Sequence, residues 1–197
     1  MDKAIKIFKS HAGYAFLKDL KEQGIHTDTL RKLVNESIVE KIKPGLYKLT
    51  DAPVYSQQGF IDVCLAMPRA VICLFSALDY YELTTFIPSM IMVAIPRDQK
   101  PQKIIYPPVD TYYFSNNMYQ LGIEKVKTDG GWFNIYSKEK TIIDCFRYRN
   151  KLGEDIAVEG LKNYLKGNFK MNSLIGYAQK SRMYNVVKPY ITAIVNE

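Results

Sequence analysis

The residues best placed to do chemistry in this chain of 197 residues are Lys140, Asp144 and Arg147, which lie in an apolar run. Lys140 precedes Asp144 by four residues and Arg147 follows it by three, so a helix would bring all three to one face. This spacing is typical of an active-site carboxylate or of a buried ion pair that fixes a helix against a sheet. We favour the ion pair, because no second acid, nucleophile or metal ligand accompanies Asp144. Contact of Arg147 and Arg149 with RNA or a partner protein stays open.

The sequence lacks the other common catalytic patterns. Both histidines, His11 and His26, precede the body of the chain, which excludes a Ser-His-Asp triad, a Cys-His pair and most zinc-hydrolase sites there. Neither GxxxxGK[ST] nor GxGxxG occurs. Gly130-Gly131 resembles the glycine pair of a nucleotidyltransferase site, but the chain has no Asp-x-Asp metal pair, and a turn explains the glycines better. We therefore expect no enzyme activity, no metal and no cofactor.

The first quarter of the chain is suited to binding a polyanion. Positions 1–50 contain 10 basic and 6 acidic residues, so they carry +4 of the net charge of +7. A basic terminal segment beside a neutral body favours a nucleic-acid partner, because phosphate binding scales with local Lys and Arg. A basic surface that only keeps the protein in solution is the alternative.

Helical periodicity predicts three helices in this segment. The first covers 2–10 and the second covers 12–23, where Gly24 ends it in a left-handed conformation. Thr27 is the expected N-cap of the third helix. The residues that recur with helical spacing, and so face inward, are Leu30, Leu33 and Val34.

The pattern then changes from helical to extended. Residues 38–43 and 46–50 predict two strands around Pro44-Gly45, whose residue types suit a tight hairpin turn. Helix, helix, sharp turn, helix and hairpin is the order of a winged helix-turn-helix. We assign residues 1–50 to a DNA-binding domain of this kind.

The third helix is expected to enter the major groove, with the hairpin as the wing. Arg31 can donate two hydrogen bonds to a guanine edge. Thr27 and Thr29 can contact bases or phosphate, and Lys32 suits phosphate. The wing residues expected near phosphate are Lys41, Lys43 and Lys48. The acidic residues that weigh against phosphate contact are Asp28 and Glu36. A small helical domain that binds protein is the alternative.

A linker over residues 51–58 and a larger α+β domain over 59–197 complete the predicted organisation. The domain is expected to combine a small mixed sheet with several helices. Strands or buried extended segments are predicted over 70–75, 90–95, 110–114, and a hairpin of 123–127 with 132–136. Helices are predicted over 60–67, 77–83, 138–148, 155–166 and 172–180, with a last one around 190–195.

Particular positions in this domain have expected roles. Ser76 and Ser137 are predicted N-caps, and Pro189 is predicted in the first turn of the last helix. The inward residues of the later hairpin are expected to be Ile123, Phe133 and Ile135.

The sequence predicts a cytoplasmic location. It has no apolar run of about 18 residues, which a transmembrane helix needs. Its first residues lack the apolar region and cleavage site of a signal peptide. The cysteines Cys64, Cys73 and Cys145 form no CxxC pair and stand in apolar stretches, as buried thiols of a reducing compartment do.

A set of motifs in fixed order carries a family resemblance. The N-terminal segment has a Leu30-x-x-Leu33-Val34 helix and a Pro44-Gly45-Leu46-Tyr47 wing. The body adds Phe75-Ser76-Ala77-Leu78, Val93-Ala94-Ile95-Pro96, Tyr136-Ser137-x-Glu139-Lys140-Thr141-x-x-Asp144-Cys145-Phe146-Arg147-Tyr148, Asp155-x-Ala157-x-Glu159-x-Leu161 and Pro189-Tyr190. Over nearly its whole length the chain resembles AbiEi antitoxins of the AbiE abortive-infection systems, a type IV toxin–antitoxin class of bacteria. Ser37 stands where related wings often have Gly, and we expect it to stay extended.

The resemblance implies a bifunctional antitoxin. Its N-terminal domain would bind inverted repeats in double-stranded DNA of its own promoter and repress the operon. Its C-terminal domain would counter a toxin of nucleotidyltransferase type without forming a stable complex, and Ser76, Lys140, Asp144 and Arg147 belong to the motifs of that domain.

Two inverted half-sites need two protein copies. Because the chain has no coiled-coil heptad, we expect a monomer in solution that assembles cooperatively on DNA. Two other functions stay open from the residues alone: a ligand-sensing winged-helix repressor without antitoxin activity, and an enzyme that modifies nucleic acid.

Overall fold

Residues 2–50 form helices and a small sheet in a computed structural model that describes residues 2–196. The elements in chain order are α1 (Asp2–Ser10), β1 (Tyr14–Phe16), α2 (Leu17–Glu22), α3 (Thr27–Asn35), β2 (Val39–Lys43) and β3 (Leu46–Leu49). The three strands form one antiparallel sheet in the order β1-β3-β2. The hairpin around Pro44-Gly45 is as predicted, with Gly45 at φ +84°.

The predicted helix over 12–23 is wrong in its first third. Ala12 and Gly13 have φ values of +53° and +89°, which break the helix, and β1 and α2 follow instead. The main chain of Gly13 accepts a hydrogen bond from Leu49 at 2.8 Å, which aligns β1 with β3. The apolar residues of β1 continue into the apolar face of α2, and this continuity imitates a single helical pattern.

Position 37 also differs from the expectation. Ser37 has a φ of +55°, in the left-handed region, rather than an extended conformation. The chain reverses there to end α3, because Ser37 N–H donates to Val34 O at 3.0 Å and Ile38 N–H donates to Leu33 O at 2.9 Å. This bonding pattern favours a glycine. Gly24, as predicted, takes the equivalent position after α2 with a φ of +79°.

The described residues divide into two compact units. Unit 1 contains the residues through Pro68, with Pro101–Val109 and Lys127–Phe133. Unit 2 contains Arg69–Lys100, Asp110–Val126 and the residues from Asn134 onward. These boundaries differ from the predicted linker at 51–58, because α4 (Gln58–Ala66) belongs to unit 1.

Unit 1 has an apolar core beneath its sheet and helices. The largest fully buried side chains there include Phe8 of α1, Leu20 of α2 and Leu33 of α3. Leu49 of β3 belongs to the same cluster, so all these elements share one core. The polar faces of the helices are exposed to solvent, as is usual for amphipathic helices.

The remaining strands form a five-stranded mixed sheet. Its strands are β4 (Val71–Ile72), β5 (Ile91–Pro96), β6 (Val109–Phe114), β7 (Ile123–Thr128) and β8 (Gly131–Tyr136), in the order β6-β5-β4-β8-β7. β4 pairs antiparallel with β5 and parallel with β8. Phe133 and Ile135 are buried as predicted, but Ile123 is 36% exposed, so its predicted inward position is wrong. β7 lies at the edge of the sheet, so within residues 2–196 it has a neighbouring strand on one side alone.

Seven helices accompany this sheet in the described chain after α4. They are α5 (Leu74–Tyr80), α6 (Asn116–Gln120), α7 (Lys138–Arg147), α8 (Arg149–Leu152), α9 (Glu154–Lys166), α10 (Met171–Lys180) and α11 (Tyr184–Val195). Ser137 caps α7 as predicted, accepting a hydrogen bond from Lys140 N–H at 3.4 Å. The chain is thus a mixed α+β protein, as expected.

Two predictions about helix ends are wrong. Ser76 lies inside α5 and does not cap it, because Cys73 occupies the cap position; Ser76 Oγ instead accepts a hydrogen bond from Met92 N–H of β5 at 2.9 Å. Pro189 lies in the interior of α11, since that helix begins at Tyr184. Among residues 2–196, no helix combines the length and apolarity needed to cross a bilayer.

Candidate nucleic-acid interface

Helix α3 separates its apolar and polar side chains onto opposite faces. Leu30 and Leu33 are 2% and 0% exposed and pack into the core of unit 1. The exposed side chains of the helix are those of Thr27, Asp28, Arg31, Lys32 and Asn35, while Thr29 is half-buried. The helix therefore presents a polar, partly cationic face to solvent.

The start of α3 differs from the sequence-based prediction. His26, not Thr27, occupies the N-cap position, and its main-chain carbonyl accepts hydrogen bonds from Thr29 and Leu30 N–H. No side chain caps the helix at this residue. Thr27 is the first helical residue, so its exposed hydroxyl is not used as a cap.

Arg31 has a neighbour of opposite charge on the same face. Its Nη1 donates to Oδ1 of Asp28 at 2.9 Å, one turn earlier on the helix. The side chains are 70% and 82% exposed. An ion pair this exposed contributes little to stability, and a competing anion can displace it.

The lysines predicted for the wing have different surroundings. Lys41 of β2 is exposed. Lys43 is half-buried, and its Nζ donates to Ala66 O at 2.6 Å and to the side-chain oxygen of Gln102. Burial lowers the pKa of Lys43 from its ordinary value. Lys41 is thus free to meet an anion in solution, whereas Lys43 already has two acceptors.

The prediction that Lys48 contacts phosphate is wrong. Its side chain is buried, and Nζ lies 3.3 Å from Oδ2 of Asp62. Successive residues of a strand point to opposite faces, so Lys48 lies on the same face of β3 as the buried Leu46. The carboxylate that pairs with it comes from α4, and no local pattern in the sequence predicts that this helix lies beside β3.

Lys48 and Asp62 belong to a small buried polar network. The hydroxyl of Tyr14 donates to Oδ1 of Asp62, and Nε2 of Gln58 donates to Asp62 at 3.2 Å. Lys48 Nζ also lies 5.5 Å from the centre of the Tyr14 ring. Burial, followed by the adjacent Asp62, raises the pKa of Tyr14, so its hydroxyl stays protonated and acts as a donor. The network joins β1, β3 and α4.

In unit 2 the ion pair expected within α7 is present. Lys140 and Asp144 are both 0% exposed, and Nζ of Lys140 contacts Oδ2 of Asp144. The ammonium also lies 4.5 Å from the centre of the Tyr136 ring and 5.0 Å from that of Phe114. Burial lowers the pKa of Lys140 and raises that of Asp144, while their mutual attraction opposes both shifts.

Arg147 does not join this pair. Its side chain is exposed and donates to the main-chain oxygen of Ser181, which attaches α7 to the segment after α10. Oδ1 of Asp144 has no hydrogen-bond partner within residues 2–196. With no exposed surface, Asp144 does not reach a solvent-borne substrate.

Cys64, Cys73 and Cys145 are buried thiols, as predicted. Within the described part of the chain, no group of three His, Cys, Asp or Glu side chains is arranged to hold a metal ion.

Comparison with protein-family models and with curated proteins found no match to this chain.

Proposed function

We propose that this protein is a DNA-binding antitoxin of a type IV toxin–antitoxin system that represses its own operon. In this proposal unit 1 contains a winged helix-turn-helix that binds inverted repeats in the promoter, and unit 2 counters a nucleotidyltransferase toxin. The proposal rests on the resemblance to AbiEi antitoxins and on the geometry of α3. The buried cysteine thiols are typical of proteins from a reducing cytoplasm.

The observation that carries the DNA-binding part is the division of α3 into two faces. Leu30 and Leu33 anchor the helix, so its polar face is held at the surface without losing core packing. Arg31 and Lys32 are exposed on that face. A recognition helix needs this arrangement, because only side chains that extend from a fixed backbone can read base edges.

The element order and charge of unit 1 support the same function. Helix α2 is followed by a Gly24 turn, by α3 and then by the β2–β3 hairpin, which is the sequence of elements in a winged helix-turn-helix. Lys41 on the hairpin is the wing lysine available to phosphate. Lys43 and Lys48 are left out of the proposed interface, because protein acceptors already bind their ammonium groups.

The DNA-binding part is tested by titrating the full chain against a duplex from its own upstream region and against a shuffled duplex. We expect tighter binding to the upstream duplex, and a steep loss of affinity with salt. Arg31→Ala should weaken binding by about 1–3 kcal/mol and reduce the preference between the duplexes. Lys166→Ala, which removes one exposed positive charge from unit 2, is the matched control. Equal effects of the two substitutions, or equal binding of both duplexes, would contradict the proposal.

The antitoxin part is tested separately in cells. We expect the neighbouring reading frame to encode a nucleotidyltransferase; the full chain is expressed together with the product of that frame, and growth is measured. We expect the chain to restore growth although the two proteins do not co-purify. Arg31→Ala should still restore growth, because the residue belongs to the DNA-binding part. Failure of the parent chain to restore growth would contradict the antitoxin role and leave the DNA test unaffected.

A further inference from the structure

A cleft of about 310 Å³ lies in unit 1 beside β1. Its walls carry Ile7 of α1, Phe16 of β1, Leu65 of α4 and Trp132. Sites for small molecules are mostly apolar and have volumes of roughly 300–1,000 Å³. The cleft therefore has the size and lining of a site for a small molecule that contains a ring.

Two side chains of the lining, those of His11 and Asp19, can accept hydrogen bonds from a ligand. Nδ1 of His11 lies 2.9 Å from the main-chain oxygen of Ile7, and since a carbonyl only accepts, Nδ1 holds the proton. The other ring nitrogen of a neutral His11 is then an acceptor. Asp19 supplies a carboxylate, and no ion pair within residues 2–196 includes it.

A ligand complementary to His11 and Asp19 must supply hydrogen-bond donors and a positive charge. Two acceptors need N–H donors, and the unpaired carboxylate of Asp19 favours a positive charge. Phe16 and Trp132 offer aromatic surface for a ring. We propose that this cleft binds a small aromatic amine, with its ring between the apolar walls and its ammonium group toward Asp19. This site is independent of the proposed DNA binding, because it involves other residues and no nucleic acid.

The probe is 2-phenylethylamine, added to the full chain. Trp132 is the chain's single tryptophan, so a ligand in the cleft changes a fluorescence signal from one known position. Isothermal titration calorimetry gives the dissociation constant independently. We compare 2-phenylethanol, which keeps the ring and loses the charge, and butylamine, which keeps the charge and loses the ring.

We expect saturable binding of 2-phenylethylamine, binding of the alcohol that is about threefold to tenfold weaker, and no saturation by butylamine. Asp19→Asn should make the amine and the alcohol bind equally. Glu22→Gln removes another exposed carboxylate of α2 that does not line the cleft, and it should keep the preference for the amine. Thermal melting confirms that both variants fold.

Three results would overturn the proposal. The first is a lack of saturable binding by 2-phenylethylamine. The second is equal binding of the amine and the alcohol by the parent chain. The third is a preference for the amine that Asp19→Asn leaves unchanged, or that Glu22→Gln removes as well, since either would show that general surface charge and not Asp19 selects the ligand.

Discussion

The guanidinium of Arg31 and the carboxylate of Asp28 form a hydrogen-bonded pair on the solvent side of α3, with 2.9 Å between Nη1 and Oδ1. The pair lies on the face that we propose for DNA recognition. Asp28 has two opposing effects there: it orients the guanidinium, and it places a negative charge where phosphates would approach. Because both side chains are mostly exposed, the repulsion is expected to outweigh the orientation.

Asp28→Asn is therefore expected to tighten binding to the upstream duplex, by about 0.5–1 kcal/mol at low salt. The difference should shrink as salt is raised, because screening weakens the repulsion. Fluorescence anisotropy with labelled duplex measures both effects. Asp98→Asn, an exposed carboxylate of unit 2, is the matched control for the change in net charge. Equal gains in both variants would show that Asp28 has no special position.

Ser37→Gly is expected to stabilise the protein. Ser37 has a φ of +55°, where a side chain is strained and glycine is not. The gain is expected to be about 0.5–1 kcal/mol, because the greater freedom of glycine in the unfolded chain offsets part of the relief. Urea unfolding followed by circular dichroism measures the change.

Gly24→Ser is the reciprocal substitution, at a φ of +79°. A Cβ there meets no atom within 4 Å, so any loss comes from the backbone conformation and not from a clash. We expect a loss of about 1 kcal/mol. If Ser37→Gly lowers stability instead of raising it, the serine side chain makes a stabilising contact that outweighs the backbone strain at position 37.

Two lysines of the hairpin allow stability and DNA binding to be separated. Lys48→Ala leaves the buried carboxylate of Asp62 without its cation, which is expected to cost about 3–5 kcal/mol of unfolding free energy. Lys41→Ala removes an exposed charge and should change stability by less than about 0.5 kcal/mol. Its effect should fall on affinity for the duplex, with a smaller salt slope. If Lys41→Ala destabilises as much as Lys48→Ala, the assignment of buried and exposed lysine is wrong.

The parts of the fold that follow from local pattern were predictable. The helical spacing of Leu30 and Leu33 predicted α3, and Pro44-Gly45 predicted the hairpin, because a few neighbouring residues determine each of these features. β1 was missed because it has three residues and is followed directly by the apolar face of α2. A strand this short is determined by its partner β3, which lies about 30 positions later in the sequence.

The surroundings of charged residues were harder to predict. Lys41, Lys43 and Lys48 look alike in the sequence, but Lys43 contacts Gln102 and Lys48 contacts the buried Asp62, whereas Lys41 is exposed. Lys140 and Asp144 were predictable as a pair, because both lie on one helix with a spacing of four residues. Ion pairs within a helix can be inferred from spacing, whereas those between elements require the tertiary structure.

The buried ion pair of Lys140 and Asp144 in α7 is expected to contribute little net free energy to stability, although both side chains are fully buried. Asp144→Asn leaves the Lys140 ammonium buried without its anion, which should cost about 3–5 kcal/mol. Replacing both residues, as Lys140→Met with Asp144→Leu, should be close to neutral, because desolvation of the two charges is removed along with their attraction. Urea unfolding of the parent, Lys140→Met, Asp144→Leu and the double variant forms a double-mutant cycle, and Asp144→Asn is measured beside it.

Asp144→Asn is also expected to change how the free energy of unfolding depends on pH, because Lys140 loses its ion-pair partner. Burial already lowers the pKa of Lys140 below its ordinary 10.5, and loss of Asp144 should lower it further. Between the folded pKa and 10.5, the unfolded chain holds a proton that the folded chain lacks, so the free energy of unfolding rises with pH. The free energy of unfolding of the variant should therefore begin to rise at a lower pH than that of the parent, and the rise should end near pH 10.5 in both, with a slope of at most about 1.4 kcal/mol per pH unit. Adding Lys140→Met to Asp144→Asn should abolish this rise, and parallel pH profiles of the parent and Asp144→Asn would show that the lysine does not titrate in the folded core.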